Sequence, residues 1–235
     1  MKKSHIATLI VFLVLIPLTL ILGSRLSGRA FYVTSTLVIV ELLIPFFLAF
    51  EGRRPQAREL VVLAVMCALA VAGRVAIPIP SFKAIFGIIM IAGIAFGPES
   101  GFLVGAISAL ASNFFYSQGP YTPWQMMAYG AGGMLAGFVF ARGRLPRKPG
   151  IMGIFGFLAV TFFVGPLLDT CSVFLVMSRI TLKGAMAFYI SGFPVNLRQA
   201  VATAIVLLVL GKPLLEKLDR IKTKYGILDD GGKEA

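Results

Sequence analysis

Nine side chains stand out because they fall within or beside long apolar runs: Arg74, Lys83, Asn113, Tyr121, Trp124, Gln125, Asp169, Asn196 and Arg198. Cations, amides and ring faces recognise a small molecule; they do not by themselves break bonds. A polar or charged group in hydrocarbon is costly, so each is a functional candidate by default. Several converging beside aromatics would make a ligand pocket. The motifs of bond-breaking chemistry are missing: there is no H-E-x-x-H, no G-x-S-x-G, no pair of intramembrane aspartates and no G-x-x-x-x-G-K-[ST] phosphate loop. With His5 as the single histidine and Cys67 and Cys171 far apart, a zinc site is excluded. The expectation is therefore a binding protein rather than an enzyme, with no catalytic residues, metal or permanently bound cofactor, and with any ATP hydrolysed by another chain.

Each candidate has a plainer reading. Asp169 and Arg198 could neutralise each other, as buried charges do, and that role is compatible with ligand binding. Tyr121 and Trp124 suit an interfacial aromatic belt, and Arg74 and Lys83 could extend to lipid headgroups or attract an anionic group. Glu41, four residues before Pro45, is a further intramembrane carboxylate. It either faces a neighbouring helix or, with Asp169, relays protons in an ion-coupled secondary carrier. That second function predicts inverted repeats, and no convincing repeat is present.

These groups must be positioned by membrane helices. Hydrophobic residues make up 58% of the chain and charged residues 14%, against about a half and a quarter in soluble domains. The apolar residues form blocks of roughly 17–25, the length that crosses a bilayer as a helix. Eight spans are predicted, at about 6–22, 31–50, 59–78, 84–97, 101–117, 122–141, 151–177 and 188–210. Lys2 and Lys3 give the first span the start of a signal peptide, but it is long for one and no small-x-small cleavage site follows. The charge-dense stretch EGRRPQARE (51–59) divides the chain into an N-terminal hairpin (1–57), a six-helix core (58–211) and a tail (212–235).

A net charge of +12 would suggest nucleic acid in a soluble protein. Here the charges mark loops, and no nucleic acid is expected. Fifteen of the 22 cationic residues fall at the N-terminus, after spans two and six, and in the tail; six fall in the alternate breaks. Excess positive charge marks the cytoplasmic side, so both termini are expected there, in a multi-pass protein of the cell membrane. This topology places Arg74, Lys83, Asn113, Gln125, Asp169, Asn196 and Arg198, and the loop SQGPYTPW (117–124), on the outer side. The loop's two prolines and glycine make it rigid, which limits the ordering cost of binding. On the inner side, GPESG (97–101) reads as a tight turn.

Small residues recur every four positions: Gly93, Gly97, Gly101 and Gly105; Gly133 and Gly137; and Ala64, Ala68 and Ala72. That spacing lets helix backbones approach closely in lipid. The glycines read as internal packing, whereas the alanine face suits either the bundle interior or a second membrane protein. After Pro213, Leu214, Leu215, Leu218, Ile221 and Tyr225 share one face opposite Lys217, Arg220, Lys222 and Lys224, the pattern of a basic amphipathic helix on the inner membrane surface. Residues 229–235 read as disordered.

The pieces RELVVLAVMCALAVAGR (58–74), IAGIAFGPESGFLVGAISALASNFF (91–115) and QGPYTPWQM (118–126) resemble the substrate-binding S components of energy-coupling-factor (ECF) vitamin transporters, most closely the cobalamin-type group. There the loop commonly carries Trp where this chain has Tyr121. The resemblance implies a six-helix core that captures a vitamin from outside. It also implies three partner subunits, a transmembrane T component and two cytoplasmic ATPases, and toppling of the S component in the membrane to expose its site inward. By the same resemblance Ala64 and Ala68, extended by Ala72, contact the T component. The hairpin and Glu41 lie outside it.

Overall fold

The computed structural model describes residues 10–24, 30–52, 56–141, 143–177 and 179–226. Lys2, Lys3, His5, Arg25, Arg29, Arg53, Arg54, Arg142, Lys233 and the segment 229–235 lie outside the described residues. All regular structure among the described residues is helical. A π-helical turn, Val11–Leu15, leads into α1 (Ile16–Ser24); α2 is Ala30–Gly52, α3 Ala57–Val75, α4 Ile85–Phe96, α5 Pro98–Tyr116 and α6 Thr122–Phe140. Then come α7 (Pro149–Val176) and α8 (Leu182–Tyr225), both long and apolar enough to cross a bilayer by length and composition.

Local chemistry explains the breaks. Gly97 has φ +94°, which glycine alone adopts without strain, and Pro98 starts the next helix at a position where no backbone N–H is needed. The expected five-residue turn at 97–101 is thus a one-residue break, because Pro98 is already helical. Thr181 caps α8 by accepting a hydrogen bond from the Gly184 N–H at 3.2 Å, and Gly226 ends it in the left-handed conformation.

The core centres on α4, whose twelve residues are all buried. It packs with α5 and α6 through glycines that leave no space for a side chain. A Cβ on Gly93 would lie 2.1 Å from the Gly133 carbonyl oxygen, and one on Gly133 would lie 2.3 Å from that of Gly101. Backbone against backbone is how helices adhere where lipid offers no hydrophobic drive.

The tail departs from expectation. Pro213 does not end a span followed by a separate surface helix; α8 runs through it to Tyr225. Proline removes one helical hydrogen bond, and tertiary contacts fasten the extension to the core. Leu215 and Leu218 are buried, with Leu214 and Ile221 packed beside them. Lys222 Nζ donates to the Ala95 carbonyl at 2.7 Å, and Arg147 reaches both the Ile94 carbonyl (3.1 Å) and Asp219 (3.3 Å). Two cations thus cap the last carbonyls of α4, where the helix dipole favours them.

Candidate functional site

At the opposite end of the bundle, six helices surround a cavity of about 290 Å³. Its wall is built from neighbouring elements: Arg74 from α3, Lys83 just before α4 and Phe86 in its first turn, Tyr116 from the end of α5, Tyr129 from α6, Val164 and Leu168 from α7, and Asn196 and Gln199 from α8. A π-helical turn at Val160–Val164 interrupts α7 at the cavity wall; such turns recur at functional sites. The next residue, Gly165, makes space for the Asn196 amide, since a Cβ there would lie 2.4 Å from its Cγ.

Arg74 is held by neutral groups. Its Nη1 donates to Ser112 Oγ at 2.5 Å and Asn113 Oδ1 at 2.9 Å, and its guanidinium lies 4.9 Å from the Tyr116 ring centre and 5.6 Å from that of Tyr129. Lys83 Nζ donates to the Ile77 carbonyl and also faces Tyr116, at 5.9 Å. Two cations therefore share one ring, and among the described residues no carboxylate lines the cavity. Phe86 meets Tyr129 edge-on at 4.5 Å. An aromatic slot with donors at its rim suits a planar ligand carrying carbonyl, hydroxyl or anionic oxygens.

Of the nine side chains singled out in the sequence, Arg74, Lys83 and Asn196 line the cavity. Asn113 and Gln125 stand behind Arg74: Asn113 accepts from Arg74 and donates its Nδ2 to Gln125 Oε1 at 2.8 Å. Asp169 stands behind Asn196, accepting from its Nδ2 at 2.7 Å. The expected Asp169–Arg198 pair does not form. Residues 196 and 198 are about 200° apart around a helix, so when Asn196 is buried Arg198 is exposed. Tyr121 and Trp124 also miss the cavity. Gln125 and Tyr129, four apart, occupy the inward face of α6, and Trp124 lies about 100° round from Gln125. There Trp124 stacks on Phe174 at 5.5 Å beside Ile39, while the Tyr121 hydroxyl donates to the Ser117 carbonyl at 2.7 Å.

Tyr116, Tyr129, Phe86 and Gln199 occupy the cavity wall where Tyr121, Trp124 and Arg198 were expected. A helical signal for them existed: Tyr116 follows Ser112 by four, Tyr129 follows Gln125 by four, and Gln199 follows Asn196 by three.

Glu41 accepts a hydrogen bond from Thr19 Oγ1 at 2.5 Å, joining α1 to α2, and is not among the cavity residues. Ala64, Ala68 and Ala72 are exposed on α3. Ala68 and Ala72 form part of a second, apolar groove of about 490 Å³ between α3 and α5, with Cys67, Val71, Val75, Ala111 and Phe115. Cys67 and Cys171 are buried free thiols.

No curated protein and no solved structure matches the chain significantly. A family model does match, over residues 55–216, which span α3 to the first part of the tail and contain every residue of the cavity wall. That model describes riboflavin transporters, so the cobalamin-type subgroup suggested by the sequence finds no support in it. Because that match covers more than half of the chain, the chain belongs to the family of ECF-type riboflavin transporter S components.

Proposed function

We propose that this protein is the capture subunit of an ECF importer for a flavin-sized planar vitamin, with riboflavin the first candidate. The observation that carries this reading is the cavity of about 290 Å³, walled by Phe86, Tyr116 and Tyr129 and rimmed by Arg74, Asn196 and Gln199. A tricyclic flavin matches its size and its aromatic walls. A corrinoid macrocycle is several times larger and finds no comparable space in it, so the cavity favours the flavin over cobalamin. The protein releases its ligand to a T component driven by two ATPases, and it performs no chemistry of its own.

The reading includes an eight-span arrangement with a six-helix core, both ends in the cytoplasm and the cavity facing out. Loop charge supports it: Arg147, from the cation-rich stretch 144–148, and Lys222 meet the last carbonyls of α4 at the end away from the cavity. Two measurements test it. In intact cells, a cysteine placed at Gly119 reacts with an impermeant maleimide and one at Pro146 does not; equal labelling of both overturns the orientation. In detergent, the purified chain binds riboflavin with a dissociation constant below about a micromolar, the range of a built pocket, by isothermal titration calorimetry. Absence of riboflavin binding, with cobalamin bound instead, would overturn the ligand assignment. Trp124 lies outside the cavity, so quenching of its emission is a weaker readout than calorimetry.

A further inference from the structure

The matched family region begins at residue 55, so it leaves α1 and α2 without a role. The core-facing residues of α2 show where the hairpin acts. Thr36, Ile39, Leu43 and Phe47 fall on one stripe, spaced three and four apart. At the cavity end, Thr36 Oγ1 donates to the Pro120 carbonyl in the loop between α5 and α6, at 3.3 Å. One turn on, Ile39 and Leu42 pack with Trp124 and Tyr121 of α6 and its approach and with Cys171 and Phe174 of α7. Further along, Leu43 and Phe47 pack with Phe102 and Ala106 of α5 and with Met126 and Met127 of α6. Among the described residues the buried Trp124 Nε1–H has no acceptor, so packing alone holds that ring.

The loop that Thr36 touches is wired to the cavity. Thr122 Oγ1 accepts from the Gly119 N–H (3.2 Å) and from Asn113 Nδ2 (3.1 Å) and donates to Gln118 (2.9 Å); Asn113 in turn accepts from Arg74. We propose that the N-terminal hairpin is a brace: α2 fixes the loop and the first turns of α6 against α7, and so holds Asn113 and Arg74 in the arrangement that binds ligand. A loop freed from the brace must be ordered at the moment of binding, which weakens affinity and speeds release.

The test uses the full chain in detergent with Ile39→Ala combined with Leu43→Ala. Amide hydrogen exchange across Ser117–Trp124, measured without ligand, is expected to quicken while α4 keeps its protection. Riboflavin affinity is expected to fall about tenfold, a usual size for coupling between distant positions. Unchanged exchange in the loop overturns the brace. If the double variant does not fold, Thr36→Val carries the test, with faster exchange at Gly119 and Thr122 expected and wild-type exchange counting against it. The exchange measurement needs no ligand, so a wild-type protein that failed to bind riboflavin would refute the flavin reading and leave the brace to be decided by exchange alone.

Discussion

Replacing Arg74 by glutamine is expected to weaken riboflavin binding roughly hundredfold, because removing one partner from a desolvated charged contact costs about 2–5 kcal/mol. Arg74 touches two of the three aromatic walls, Tyr116 and Tyr129, and donates to two buried acceptors, Ser112 and Asn113. Ser112 and Asn113 are fully buried. Asn113 keeps Thr122 and Gln125 as partners, so the fold survives while the wall of the cavity loses its positive field. Arg74→Lys keeps the charge but not the planar fork that spans two acceptors and two rings, and is expected to fall between wild type and glutamine. Lys83→Gln is expected to have the smaller effect, since its ammonium is committed to the Ile77 carbonyl and reaches only one ring. Titration calorimetry on the four proteins checks the order; glutamine binding as tightly as arginine at position 74 would remove this residue, and with it the cavity, from recognition.

The arrangement of charge explains why such a site is tolerated in an apolar bundle. The half-buried Arg74 cation is surrounded by hydroxyl, amide oxygen and ring faces, which solvate it without cancelling it. The carboxylate nearest this wall in the hydrogen-bond network, Asp169, is turned to Asn196 and orients an amide instead of neutralising an arginine. The opposite end uses a different rule. There Arg147 and Lys222 meet Asp219 and the open carbonyls of α4, and their role is to fasten the end of α8 to the core. The same residue types therefore line an open cavity at one end and fasten helices at the other, according to whether a carboxylate is present.

Much of the scaffold was legible because span length and glycine spacing are strong signals. The breaks around Gly97, the loop before Thr122 and the glycine contacts of Gly93, Gly101 and Gly133 all follow from residue type and backbone sterics. Half of the site was legible for a weaker reason: polar residues are rare here, so Arg74, Asn196 and the supporting Asn113, Gln125 and Asp169 drew attention by composition alone. What composition could not supply was the facing of each helix. Trp124 and Tyr121 stand out in the sequence as aromatics near a loop, yet the face of α6 is set by Gln125 and Tyr129. Arg198 stands out as a charge that could meet Asp169, yet one helix cannot bury both 196 and 198 against the same neighbour. The continuity of α8 through Pro213 was hidden as well, because a proline's effect depends on whether its surroundings hold the helix straight.

The second large effect is expected on the far side of α3. Ala68→Leu and Ala64→Leu should each reduce vitamin uptake by cells carrying the complete transporter to background, while riboflavin binding by the purified subunit stays at the wild-type level. The alanines are exposed although they sit on a helix whose Leu63, Met66 and Ala70 are buried, so the fold itself does not use them. Small residues four apart let a second helix approach to backbone distance. A leucine at 68 fills the apolar groove that Ala68 and Ala72 share with Ala111 and Phe115, and overpacking a close contact costs about 1–3 kcal/mol, enough to weaken the docking of a partner helix there. Neither alanine lines the ligand cavity, which is why binding is spared. Val65→Leu is the control: Val65 is exposed on the same helix one position off the stripe, and uptake should survive there. Uptake that persists in Ala68→Leu, or fails equally in Val65→Leu, would show that the partner subunit docks elsewhere, because a stripe that couples by close approach cannot tolerate three added carbons at its centre yet be indifferent to which side of the helix carries them.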